Sequence, residues 1–134
     1  MNGKNLDFLP NLNLYRTNSF YYKELKELNR VFQKHYKQGD SPVILSTMSS
    51  FIYTGNGLDF NCFLVFLKGN YGYNGSKKLI AKMNEEEGKY YIIQKEEFET
   101  ITNQGEYLYD VSQYVIKYFE FVEQDGNCLV YRGR

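Results

Sequence analysis

Between Ser19 and Lys37, the residues Tyr21, Leu25, Leu28, Phe32 and His35 or Tyr36 recur at helical spacing and make one apolar stripe. A helix that is apolar on one side only must bury that side against another layer. Its ends are marked as well. Ser19 suits the N-cap, Glu24 and Glu27 lie towards the positive end of the helix dipole, and Lys34 and Lys37 lie at the negative end. Gly39 then stops the helix.

The layer that receives this helix reads as a sheet. Residues 58–68, LDFNCFLVFLK, alternate at first and then become continuously apolar, as in a central strand buried on both faces. Two shorter runs follow, KKLIAKM at 77–83 and KYYIIQ at 89–94, joined by NEEEG (84–88) as a five-residue hairpin loop. Cys128 to Tyr131 reads as a final short strand. The expected class is α+β: a small, mostly antiparallel sheet of about four strands, covered by helices on one face, with the 19–37 helix packed there.

Three further segments carry helical signals. Asp40-Ser41-Pro42 reads as a cap with proline in the first turn, and Ile44, Leu45, Met48, Phe51 and Ile52 follow at helical spacing. That predicts a helix over 42–54, although its Val, Ile and Thr content also favours strand. KEEFETITN (95–103) predicts a short helix. Over 108–124, Leu108, Val111, Val115, Tyr118 and Val122 form one face, and Asp110, Gln113, Lys117, Glu120 and Gln124 the other. The rival for this last segment is a hairpin that turns at EQDGN, because β-branched and aromatic residues are dense there. Residues 1–18 read as an extended arm that packs onto the body through Leu6, Phe8, Leu9, Leu12 and Leu14, with Pro10 breaking any helix.

A length of 134 residues fits one domain with a core of its own. No apolar run approaches the roughly 18 residues of a membrane span, and Met1 to Pro10 holds no apolar signal-peptide core, so the expected compartment is the cytoplasm. Cys62 and Cys128 both sit in apolar stretches, which suits buried reduced thiols. There is no CxxC, and a single histidine does not complete a usual zinc set. Tyrosine occurs 14 times, tryptophan not at all, and alanine once. That bias suits an AT-rich coding sequence, so abundance of Tyr, Asn or Lys carries no functional weight by itself.

Charge is uneven along a chain whose formal net charge is zero. Residues 1–83 hold 11 Lys/Arg against 5 Asp/Glu, whereas residues 84–125 hold 3 Lys against 11 Asp/Glu. Either the two halves separate in space and one pole docks a charged partner, or the folded chain interleaves them and they neutralise each other.

Signals for chemistry are sparse. His35 is the sole histidine, and neither Tyr36 nor Asp40 stands at a spacing that would make it a general base. Glu85, Glu86 and Glu87 are adjacent and diverge, unlike the spaced carboxylates of a cation loop. Glu96, Glu97 and Glu99 suit the start of a helix. No nucleophile elbow, metal set or cofactor motif occurs, and no cofactor is expected. The loop GNYGYNGSKK (69–78) does not match the phosphate-loop pattern GxxxxGK[ST], and the segment after it reads as strand, so no helix N-terminus is expected behind it.

That loop has another use. Tyr71 and Tyr73 sit among Gly, Asn and Ser beside Lys68, Lys77, Lys78 and Lys82, a composition suited to adaptable binding loops. Tyr71, Tyr73, Lys68, Lys77 and Lys78 are therefore the candidate partner-binding residues. The function expected is a non-catalytic protein-interaction module, an inhibitor or adaptor, of a kind that accessory proteins of phages and mobile elements supply. The alternatives are a nucleic-acid binder using the Tyr/Lys loop, which the neutral total charge disfavours, and a small enzyme without a recognisable motif.

Overall fold

The computed structural model describes residues 3–58, 75–100 and 107–134. In the arm, β1 (Lys4–Asn5) pairs antiparallel with β2 (Arg16–Thr17) around a 3-10 turn at Pro10–Leu12. Leu6, Leu9 and Leu12 of this arm are buried. Helix α1 (Ser19–His35) follows, capped by Asn18, whose side chain accepts the Tyr21 N–H at 2.9 Å. The cap is thus one residue earlier than expected, and Ser19 is the first helical residue. Leu25, Leu28, Val31 and Phe32 bury the stripe, whereas Tyr21 does not join it.

β3 (Val43–Leu45) and α2 (Ser49–Gly55) occupy the segment expected to be one helix over 42–54. The correction has a tertiary cause. Val43, Ile44 and Leu45 pair in parallel with Tyr91, Ile92 and Ile93, and this buries all three on the sheet. The helical period after them belongs to α2 alone. From Asp59 on, the expected central strand 58–68 lies outside the described residues, as do Cys62 and Lys68.

α3 (Gly75–Glu85) replaces the expected strand 77–83, and NEEEG is the end of that helix and the turn after it. Leu79 and Met83 are buried four residues apart, which is a helical repeat. β4 (Tyr90–Gln94) and α4 (Lys95–Thr100) come next. α5 (Tyr107–Tyr118) then ends six residues before the expected 124, and the chain turns into β5 (Glu120–Asp125). β6 (Cys128–Arg132) returns beside it, so the hairpin rival holds for the second half of that segment. The two-residue loop is Gly126-Asn127, with Gly126 at φ +59, a left-handed conformation that suits tight hairpins.

The four strands form a mixed sheet in the order β3-β4-β6-β5, with β3∥β4 and the other two pairs antiparallel. The expected α+β class and four-stranded sheet are therefore present, with different members. β4 lies inside the sheet and is buried from Tyr91 to Gln94. α1 packs against β4 and β6, and cover extends to the second face, where the Tyr91 ring meets Phe119 at 5.1 Å between centroids. Cys128 is a buried free thiol whose pKa burial pushes up to about 12, so it stays protonated at neutral pH.

The charge halves interleave where α1 meets β5. Arg30 donates to both Asp125 oxygens at 2.9 and 2.6 Å, and Lys34 lies 2.8 Å from Glu123. His35 Nε2 sits 2.9 Å from Glu123 Oε1, with its ring packed on Tyr90. The acidic strand thus neutralises the basic end of the helix.

Candidate interaction groove

Hairpin β1–β2 lies beside the first turns of α1, and this position leaves a gap between the arm and the β3–α2 turn. Leu9 fixes the arm there: a Cβ added to Gly55 would stand 2.8 Å from Leu9 Cβ, so only glycine lets α2 approach this closely. The result is an apolar groove of about 350 Å³. Leu6 and Leu25 form its buried base. Tyr15, Tyr21, Met48 and Phe51 form its walls, with Arg16, Thr17 and Thr47 as its polar lining. Thr47 is held in place by Glu97, which accepts its N–H at 3.1 Å and its hydroxyl at 2.5 Å.

A second hollow of about 340 Å³ shares Tyr21 and Met48 with the groove and continues it towards the sheet end. Its other walls include Phe20, Glu24, Glu96, Glu97 and Asn127. Asn127 organises this end. Its N–H donates to Glu27 at 2.8 Å, its side-chain amide donates to Glu24 at 3.2 Å, and its side-chain oxygen accepts the Glu96 N–H at 2.9 Å. The carboxyl of Glu24 is raised above the ordinary range, first by burial, against the lowering effect of the Asn127 bond, and further by the charges of Glu96 and Glu27.

Large apolar side chains left in water gather here. Tyr15, Phe20, Tyr21 and Phe51 are 64%, 61%, 46% and 47% exposed. A second, smaller group, Tyr118, Phe121 and Val122, lies at β5. There the sheet edge is blunted by Glu120, Glu123 and Asp125 and by a register shift between Phe121 and Glu123, features that oppose added strands.

Tyr71 and Tyr73, like Lys68, lie outside the described residues. Lys77 and Lys78 are exposed on the first turn of α3, so the expected loop 69–78 ends as helix and the expectation of a following strand is corrected. A helix start therefore does stand behind the glycine-rich stretch, although the phosphate-loop sequence pattern is still missing. Lys77 and Lys78 line neither hollow of the groove. His35 has the acid neighbour that local spacing does not show, because Glu123 is 88 residues away. Among the described residues, no group of three or more His, Cys, Asp or Glu side chains is placed to hold a metal ion, and no helix is long and apolar enough to cross a membrane.

Compared with protein-family models, with curated proteins and with solved structures, the chain finds no match.

Proposed function

We propose that this protein is a non-catalytic interaction module, an inhibitor or adaptor, and that it engages a protein partner through the groove between its arm, α1 and α2. The observation that carries this is the gathering of Tyr15, Tyr21 and Phe51, all exposed, around one apolar hollow, with exposed Phe20 on the hollow that adjoins it. Contiguous exposed apolar surface of this kind marks an interaction site, and aromatic residues supply contact area at low entropic cost. A small ligand inside about 350 Å³ would leave Phe20 uncovered, since it lines only the adjoining hollow. A protein surface covers both hollows together.

The test is comparative capture from nuclease-treated extract, using the parent chain and the double variant Tyr15→Ser/Phe51→Ser as baits. Both side chains are exposed, so the fold tolerates their loss. A protein retained by the parent and lost from the variant is the expected result. Equal retention by both baits, or recovery of nucleic acid alone without nuclease, refutes the groove as the binding site.

A further inference from the structure

We propose that the groove selects a protein segment in which a bulky apolar side chain stands next to lysine or arginine: the apolar group seats against Tyr21, Met48 and Phe51, and the cation reaches Glu24 and Glu96. This deepens, and rests on, the interaction role proposed above.

The two hollows differ in charge. Arg16 lines only the apolar groove, whereas Glu24, Glu96 and Glu97 line only its continuation. Glu97 is occupied by Thr47. Some other acids of the described residues are ion-paired, Asp125 with Arg30 and Lys34, Glu123 with Lys34, Glu86 with Lys89 and Glu99 with Lys95, whereas exposed acids such as Glu85, Glu87 and Glu120 rest in water. Glu24 and Glu96 form no ion pair among the described residues, although Glu24 is half-buried and carries the charges of Glu96 and Glu27 beside it. A carboxylate so placed gains from an incoming cation, and it repels an anion.

The apolar side of the same hollow suits the rest of a basic side chain. Phe20, with its ring edge-on to Tyr21 at 5.5 Å between centroids, offers a surface for the stem of a lysine or the plane of an arginine. Tyr21 and Met48 belong to both hollows, so anchor and cation occupy neighbouring positions on the bound segment. A nucleic acid is disfavoured here, because its phosphates would face Glu24 and Glu96.

A random dodecapeptide display library selected on the intact chain tests this. Selected peptides should carry Leu, Phe or Met adjacent to Lys or Arg. Their affinity should fall with salt, and replacing the basic residue by norleucine should weaken binding about tenfold. Glu24→Gln/Glu96→Gln should weaken the unmodified peptide to a similar extent and leave the norleucine peptide unchanged; glutamine keeps an acceptor for Asn127. Peptides that lose binding to Tyr15→Ser/Phe51→Ser yet show no basic preference, and no change on norleucine replacement, overturn this inference and leave the interaction role intact. If no selected peptide depends on Tyr15 and Phe51, both fall.

Discussion

Gly126→Ala separates two costs that the structure assigns to one position. The first is conformational. At φ +59 an L-residue loses roughly 1–2 kcal/mol, partly offset by about 0.4–1 kcal/mol because alanine stiffens the unfolded chain. The second is a collision. A Cβ on Gly126 would overlap Glu27 and lie 2.6 Å from its carboxyl carbon. Glu27 must then leave the Asn127 N–H that it accepts at 2.8 Å, and a hydrogen bond to a charged group is worth about 1.5–3 kcal/mol. The sum is about 2–4 kcal/mol. For a chain of 134 residues, an unfolding entropy of about 2.1 cal/mol/K per residue converts this to a fall in Tm of about 7–14 °C. Gly39→Ala is the control. Gly39 has φ +81 with nothing within 4 Å of an added Cβ, so it carries the first cost alone, about 2–4 °C. Thermal unfolding followed by circular dichroism reads both. Adding Glu27→Ala completes a cycle: in the Glu27→Ala background, Gly126→Ala should cost no more than Gly39→Ala does. Equal Tm values for the two single glycine variants, or an additive cycle, would refute the claim that α1 clamps this turn through Glu27.

Three further outcomes follow from the packing. Phe32→Ala, at a fully buried ring between Tyr36 and Tyr53, should cost about 3–5 kcal/mol and more than about 10 °C in Tm; a small shift would mean that α1 does not anchor the core. Arg30 holds the carboxyl of Asp125 down to about 2, so its stabilisation is complete above the unfolded value near 4 and is lost as pH falls towards 2. Asp125→Asn should therefore cost about 1 kcal/mol at pH 7 after solvent screening, and its denaturation midpoint should converge with the parent's by about pH 2. His35→Gln should preserve partner capture, since His35 lines neither hollow of the groove; loss of capture in a folded variant would point to a role for the His35–Glu123 contact.

What the sequence discloses depends on whether local pattern and tertiary pairing agree. α1, α4, β4 and β6 are legible because the period their residues show matches the element and face that the fold gives them. β3 is three residues long, and no period can be counted over so short a run. In 77–83 the i, i+4 pair Leu79 and Met83 is a helical signal, but seven residues bounded by Asn-Glu-Glu-Glu-Gly imitate a strand and its hairpin. β5 is hidden for another reason. It is an edge strand whose residues are exposed or half-buried on both faces, so burial imposes no alternation on it. Its residues Glu120, Val122 and Gln124 then fall by accident on the two faces of the preceding helix.

The groove is illegible for a deeper physical reason. An apolar residue waiting for a partner and one already in the core obey the same spacing, because both are placed by the element that carries them. Tyr21 continues the stripe of Leu25, Leu28 and Phe32, and Met48 and Phe51 continue that of Ile44 and Ile52; by period alone all are core. In the fold, Leu25 and Ile52 are buried while Tyr21 and Phe51 remain about half exposed. The difference arises only when the arm is added. Leu9 docks on Gly55 and draws β1–β2 alongside α1, which closes one side of the gap and leaves the other side open. The acids have the same ambiguity. Glu96 sits in the first turn of α4, where the helix dipole favours it, and Glu24 is the sixth residue of α1; only the turn at Asn127, some 100 residues from Glu24, brings them to one hollow. A stripe residue that the fold leaves in water, beside carboxylates that form no ion pair, is therefore the pattern on which the proposed partner site rests.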